Sequence, residues 1–131
     1  MARSVLALLL VLILAAPAAA LDRPEQKLVR LTNRARVAHD LRRLDVGWKI
    51  TRRAERHARR LADAGRLWHS GSHPCHVWGE NVGYGATIRR VHRAYMRSPA
   101  HRANVLGWWS RIGVGVVRRG DGVWTTVVFC R

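Results

Sequence analysis

Two histidines and one glutamate have the side chains in this sequence best suited to act together in a chemical site: His69, Glu80 and His101. Neutral imidazoles bind zinc and other divalent cations, and a carboxylate can orient an imidazole ring or complete the set of ligands. The same types of side chain can activate water for hydrolysis. We predict that the three converge on one cleft as its catalytic or binding residues. In the alternative interpretation they are structural, with Glu80 accepting backbone hydrogen bonds and His101 capping a helix.

A divalent cation such as Zn2+ is the cofactor that this cleft could hold. Its predicted ligands are His69 and His101, with Glu80 orienting a ligand ring rather than binding the metal. Two histidines with open positions predict weak and reversible binding. A dinucleotide cofactor is excluded, because the segment Gly83-Tyr84-Gly85 lacks the third glycine and the strong preceding strand of such a site.

Three more histidines lie close by in the sequence. His73 and His76 flank a proline and a cysteine in a loop-like segment, and we predict that both are exposed rather than metal ligands. His57 falls beside the small-residue face of a predicted helix, where a packing role is expected.

Apolar residues at helical spacing predict the elements that carry these side chains. A first helix is predicted over residues 24–39, and a second starts near Thr51 and stops at Gly65. A third runs from a cap at Thr87 to Pro99, and a further helical turn over residues 101–106 carries His101.

Strand-forming residues make up the rest. Residues 78–82 are predicted as a short strand or extended segment that carries Glu80, and residues 111–117 and 123–129 as a hairpin. Gly113 and Gly115 lie on the same face of their strand, either for close approach of a backbone or ligand or as a tight fit under a helix.

The N-terminus predicts export. A basic start, an apolar run and Ala18-Ala19-Ala20 indicate a secretory signal peptide over residues 1–20, leaving one domain over residues 21–131. The run is shorter than the roughly 20 residues of a spanning helix, so no transmembrane segment is expected after cleavage; a retained anchor is the alternative. In an exported protein Cys75 and Cys130 most simply form one disulfide, the alternatives being free thiols or metal ligands.

The charge is strongly positive, +16 at pH 7, and only Lys27 and Lys49 among the 24 basic residues are lysines. A basic surface attracts phosphates, anionic lipids and acidic wall polymers, so a lipid or an anionic cell-surface polymer is a predicted partner. The arginines are scattered over every segment and no helix-turn-helix or RNA-binding motif is found, so specific nucleic-acid binding is not expected.

The motifs follow one another in a recognisable order, at residues 31–36, 56–59, 69–70, 79–83, 98–106 and 112–116. They include His69-Ser70, Gly79-Glu80-Asn81 and Ser98-Pro99-Ala100-His101. This order resembles the CAP superfamily, the SCP-like extracellular domain shared by cysteine-rich secretory proteins, antigen 5 and pathogenesis-related 1 proteins, and its short bacterial branch in particular.

The resemblance implies an α+β fold, a three-layer α-β-α sandwich with helices on both sides of a small antiparallel sheet. It also implies a cleft with two histidines and one or two glutamates, whose matching positions here are His69, Glu80 and His101. Larger members carry a second glutamate a few residues after an aromatic residue in the third helix, and in this chain Ser98 stands near that place. That departure weakens any acid-base scheme that needs two carboxylates.

We predict from these observations a secreted ligand-binding or interaction module with a His-Glu-His cleft, because members of this superfamily share a fold but differ in partner, including sterols, fatty acids and cell-surface proteins. The alternative is a metal-dependent hydrolase or protease-like enzyme that uses the same cleft. No activated serine or cysteine nucleophile is evident. Four tryptophans are expected in the core or the cleft walls, with one or two able to contact an apolar ligand: Trp68, Trp78, Trp108 and Trp109.

Overall fold

The computed structural model describes residues 23–131, so the predicted signal peptide lies outside the described residues. The helices are α1 (Pro24–Val37), α2 (Trp48–Ala64), α3 (Ile88–Arg97) and α4 (Pro99–Val105). The strands are β1 (Asp45–Val46), β2 (Trp78–Gly85), β3 (Arg111–Arg119) and β4 (Gly122–Cys130). These four helices and four strands follow one another in the order α1-β1-α2-β2-α3-α4-β3-β4. In this part of the chain no helix is long and apolar enough to cross a membrane.

The strands form one sheet in the order β1-β3-β4-β2. The predicted hairpin is β3 and β4, and β2 pairs antiparallel with β4. The α+β sandwich is confirmed, but the sheet is mixed rather than wholly antiparallel. The two-residue strand β1, in a segment predicted only as a connector, pairs parallel with β3.

Side chains alternate between the two faces of the sheet and so divide the core in two. The larger cluster joins α1, α3 and α4 to one face, and includes Leu28, Tyr95, Val105, Val127 and Phe129. The opposite face packs against α2. There Ile50 and Ala54 meet Val128, and Leu61 meets Val82 and Trp124. The layers are therefore one helix, one sheet and three helices.

The two glycines of β3 explain how closely α2 approaches the sheet. A β-carbon on Gly113 would lie 2.4 Å from the backbone carbonyl carbon of Ile50, and one on Gly115 would lie 2.4 Å from that of Ala54. Such distances exclude any larger side chain without a shift of the helix. Of the two roles open from the sequence, the tight fit under a helix is the one observed.

The helix boundaries differ from the predicted ones in three helices. α4 covers Pro99–Val105 rather than residues 101–106. α2 begins at Trp48, after Gly47 at its N-cap, rather than near Thr51, because the chain enters the helix directly from β1. α1 ends at Val37, before Asp40 adopts a positive φ of 58°. The predicted stop at Gly65 and the cap at Thr87 are both present.

A buried arginine joins three parts of the chain behind α4. The Arg36 guanidinium donates hydrogen bonds to the carbonyl oxygens of Arg42, Val105 and Gly107, at 2.7 to 2.9 Å. The residue is only 2% exposed, and burial lowers the pKa of Arg36. The sequence offered no reason to separate this arginine from the others. Its role is to hold the C-terminal end of α4, and so it supports the element that carries His101.

Candidate functional site

Glu80 is the centre of the candidate site, and it lies on β2, the strand at the edge of the sheet. Both carboxylate oxygens are hydrogen-bonded. Oε1 is 2.9 Å from His69 Nδ1 and accepts the backbone N–H of Ser70 at 2.9 Å. Oε2 accepts the hydroxyl of Ser70 and lies 2.9 Å from His73 Nε2. The residue is 4% exposed, so these donors replace water around the carboxylate.

The donors keep Glu80 ionised. Burial alone would raise the pKa of Glu80, but the hydrogen bonds from His73, from the Ser70 hydroxyl and backbone, and from His69 lower it to about 2. An ionised carboxylate can only accept hydrogen bonds, so the Nδ1 atom of His69 carries the proton that points at Oε1. When His69 is neutral, its Nε2 atom therefore carries a lone pair that is free to bind a ligand.

His69 and His101 reach the site from different directions. His69 lies in the segment between α2 and β2, and its side chain is 61% exposed. His101 lies in α4, which Asn81 holds against β2 by donating to the His101 carbonyl oxygen at 3.0 Å. Asn104 adds hydrogen bonds to the Asn81 side chain and the Glu80 backbone. The Asn81 and Asn104 amides thus dock α4 on the strand that carries Glu80.

The two imidazoles are close enough to influence each other. Burial lowers the pKa of His101, and the proximity of His69, in its protonated form, lowers it further. The ring of His101 packs 5.3 Å from that of Tyr95, centroid to centroid. His69 contacts Glu80 directly, whereas His101 is brought near His69 without a hydrogen bond to either residue.

His73 was predicted to be exposed, and this prediction was wrong. Its side chain is 0% exposed, and its Nε2 atom lies 3.0 Å from the Ser70 hydroxyl as well as near Glu80. The ring also packs edge-on against Trp78. The signal that could have indicated burial is Cys75, two residues further on. Its disulfide to Cys130, which is confirmed with a Cα–Cα distance of 5.9 Å, ties this loop to β4.

The other nearby histidines are as expected. His76 is exposed. His57 is buried, with Nε2 2.8 Å from the Trp68 carbonyl oxygen and its ring edge-on to the Trp68 indole. Both lie outside the cluster around Glu80.

Ser70, His73 and Glu80 do not form a nucleophilic triad. In such a triad the two nitrogens of the histidine face the serine and the carboxylate separately. Here the same Nε2 atom of His73 faces both, and the Ser70 hydroxyl donates directly to Glu80. The hydroxyl is therefore held as a donor to a carboxylate, not activated for attack.

The donor atoms do not form a complete metal shell, but the His69 ring has the carboxylate support of a metal-binding imidazole. A carboxylate that fixes Nδ1 of a histidine and frees Nε2 is the usual support for a metal-binding imidazole. His69 has this arrangement, and the lowered pKa of His101 keeps its ring neutral, as a ligand must be. Within residues 23–131 no group of three or more His, Cys, Asp or Glu residues is arranged to hold a metal ion.

The tryptophans divide between the site and other surfaces. Trp78, two residues before Glu80 on the same face of β2, is 37% exposed. Trp68 is half-buried beneath the Arg66 guanidinium. Trp109 stacks on Phe129, and Trp108, 82% exposed, packs against Arg131. Of the four, Trp78 lies against the Glu80 cluster.

The comparison with protein families agrees with this fold. The sequence profile of the CAP family, described as the cysteine-rich secretory protein family, matches residues 29–130. The chain therefore belongs to the CAP family. Among curated proteins, none matches the sequence.

Solved structures of CAP and SCP proteins have the same fold. An outer surface protein from Borrelia burgdorferi matches with a TM-score of 0.74 at 19% identity, over 82% of this chain and 92% of that one. An extracellular protein with an SCP domain from Bacillus anthracis matches with a TM-score of 0.74 at 22% identity, over 82% of this chain and 40% of that one. Venom allergen-like protein 4 from Schistosoma mansoni matches with a TM-score of 0.70 at 11% identity, over 82% and 88%. At these identities the likeness shows the fold alone.

Proposed function

We propose that this protein is an extracellular binding module whose ligand contacts the cleft of His69, Glu80 and His101. The observation that carries the proposal is the contact between Glu80 and His69 Nδ1 at 2.9 Å. It leaves Nε2 free on an imidazole whose side chain is 61% exposed. An extracellular location is supported by the predicted signal peptide and by relatives described as an outer surface protein and an extracellular protein.

The low pKa and the hydrogen bonds of Glu80 favour binding over hydrolysis. A general base needs a pKa near the working pH and a free oxygen within reach of a water molecule. The pKa of Glu80 is about 2, and its two oxygens already accept hydrogen bonds from Ser70, His69 and His73. A hydrolase that used this cleft would therefore depend on a histidine as its base. Glu80 is better suited to orienting His69.

If a divalent cation such as Zn2+ binds in the cleft, His69 and His101 would hold it. When bound, it would supply a positive charge that attracts an anionic or carbonyl group. Trp78, 37% exposed beside the same cluster, adds an apolar surface. Together these features favour a lipid with an anionic head group, such as a fatty acid, as the ligand of the cleft.

A thermal-shift titration with Zn2+ and EDTA tests the cleft. We expect Zn2+ to raise the melting temperature and EDTA to reverse the rise. The double variant H69A/H101A should lose the rise, whereas H76A, which removes an exposed histidine three residues from His73, should keep it. An equal rise in all three proteins would show that zinc binds elsewhere and would remove the metal from the proposal.

A second measurement separates binding from hydrolysis. Binding of a fluorescent fatty acid should weaken in H69A/H101A and remain close to wild type in H76A. Turnover of a fluorescent ester that is lost in H101A but kept in H76A would instead favour the hydrolase. No binding of the fatty acid by folded wild-type protein would contradict the lipid ligand.

A further inference from the structure

The outer face of α2 is densely basic. Six cations lie within twelve residues of this helix: Lys49, Arg52, Arg53, Arg56, Arg59 and Arg60. All are exposed except Arg53, which is half-buried. At 100° per residue they fall on one side of the helix, opposite the side that packs on β3 and β4.

No acidic side chain of α2 neutralises this face. The helix has two carboxylates, Glu55 and Asp63. Asp63 pairs with Arg119 at 2.7 Å, and Glu55 lines a separate cavity toward α1 with Val46 and Val114. Within residues 23–131, the exposed cations from Lys49 to Arg60 form no ion pair. Their charges are therefore available to a ligand.

The face also borders a groove with a second wall. The cavity there is about 440 Å3, and α2 lines one side of it with Trp48, Lys49, Arg52, Arg53 and Arg56. The loop of residues 72–74 lines the other side. Arg53 fixes this wall, because it donates to the Ser72 carbonyl oxygen at 3.0 Å and to the Ser72 hydroxyl at 2.8 Å.

The basic face of α3 provides a contrast. It has a groove of about 460 Å3, but all its lining residues belong to α3 or to the next residue, Ser98. Arg93 and Arg97 are exposed there. This groove has a similar charge but only one wall.

The shape of the α2 groove favours a linear partner. Arg52, Arg56 and Arg60 recur every four residues, about 6 Å apart along the axis, in a row that extends roughly 16 Å from Lys49. One arginine guanidinium can donate two parallel hydrogen bonds to the oxygens of a phosphate group.

A bilayer is a less suitable partner for this face, because it would need apolar side chains to insert. Trp48 is the only large apolar residue exposed on α2, and the Lys49 ammonium already lies 5.6 Å from its ring.

We propose that the groove between the basic face of α2 and the loop of residues 72–74 binds a linear polymer with repeating phosphate groups. The groove shares the loop that carries His73 with the cleft but does not include His69, Glu80 or His101. The polymer attaches the protein to a surface that carries it. Affinity comes from pairing successive phosphates with arginines, so it falls as salt rises.

The test measures binding of fluorescein-labelled long-chain inorganic polyphosphate to the chain of residues 21–131 by fluorescence anisotropy, at several salt concentrations. The variant R52Q/R56Q removes two groove cations, and R93Q/R97Q removes two cations at the same spacing on α3. We expect R52Q/R56Q to bind about tenfold or more weakly, and the slope of log K against log salt to be smaller by about 2. R93Q/R97Q should stay within about twofold of wild type.

Three outcomes would overturn the proposal. Equal losses in both variants would show that diffuse net charge, not the groove, attracts the polymer. Absence of binding at about 0.15 M salt would remove the partner altogether. Tighter binding to phosphatidylglycerol vesicles than to polyphosphate would assign the groove to a bilayer instead. None of these variants alters His69, Glu80 or His101, so the proposed function of the cleft is tested separately.

Discussion

The two sides of Glu80 use the same residue type but differ in access to solvent. On the closed side, which we define as the Ser70 hydroxyl and His73, the histidine side chain is 0% exposed. On the open side, defined as His69 and His101, the His69 side chain is 61% exposed. Both histidines lie 2.9 Å from a carboxylate oxygen. Distance alone therefore does not tell a structural histidine from one that can bind a ligand.

The difference indicates a division of roles within one cluster. The closed side fixes the position and the charge of Glu80, and Glu80 in turn fixes the ring of His69. The structural interpretation of Glu80 is partly met, because it accepts the Ser70 backbone N–H. The corresponding role for His101 is not, since no side chain caps α4. Changes on the closed side should therefore affect folding, and changes on the open side should affect binding.

The largest expected effect on stability comes from removing the disulfide that holds the loop of the closed side. The Cys75–Cys130 disulfide spans 55 residues, and its removal should lower the free energy of unfolding by about 4 kcal/mol. Urea unfolding of C75S/C130S at pH 7 measures this, with reduced wild type as the control that should match it. A loss below about 1 kcal/mol would mean that the loop is held in place without the disulfide.

Removing the buried histidine comes next. His73→Ala deletes the donor to Glu80 Oε2 and leaves a cavity against Trp78, so the free energy of unfolding should fall by about 3 to 4 kcal/mol. His76→Ala, three residues along the same loop but exposed, is the matched control and should change it by less than about 0.5 kcal/mol. Similar losses of unfolding free energy for the two variants would indicate that the His73 side chain is not buried in solution.

The ionised carboxylate of Glu80 should make the stability of the protein depend on pH in the acid range. The pKa of Glu80 in the folded protein is about 2, below its usual value of 4.5, so the unfolded state takes up this proton first as the pH falls. The stability that the carboxylate contributes is present above about pH 4.5 and is lost toward pH 2. Between these values wild type should lose on the order of 3 kcal/mol more than Glu80→Gln, whose amide does not titrate. Parallel pH profiles of the two proteins would contradict this.

The smallest effect is expected on the open side. His69→Ala removes one hydrogen bond between Glu80 and a largely exposed ring, so the free energy of unfolding should fall by less than about 1 kcal/mol. The comparison with His73→Ala in the same urea experiment is direct, because both variants lose a histidine bound to the same carboxylate. A loss for His69→Ala as large as that for His73→Ala would remove the distinction between the two sides.

Much of the architecture could be predicted from sequence because it depends on local signals. Gly65, Thr87 and Pro99 mark helix ends by backbone chemistry. The alternation of glycine with apolar residues in β3 and the strand-forming residues of β4 fix the hairpin. Short β1 has no such signal, since its two residues form a strand only by pairing with β3.

The site was less predictable, because it depends on contacts between distant segments. His69 and Glu80, both singled out from the ordered motifs, are in contact. The burial of His73 depends on a disulfide to the last strand, and Arg36 is buried by carbonyl groups up to 71 residues away. A single sequence gives no means to distinguish one buried arginine from the many exposed ones.

The close packing of α2 on Gly113 and Gly115 also makes the site sensitive to residues that do not touch it. A methyl group on Gly115 would overlap the backbone at Ala54, one residue after Arg53, which holds Ser72. An alanine there would displace the helix outward, and with it the loop that carries His73. Natural or engineered substitutions of Gly113 or Gly115, which change the distance between α2 and the sheet, should therefore occur together with substitutions around Glu80.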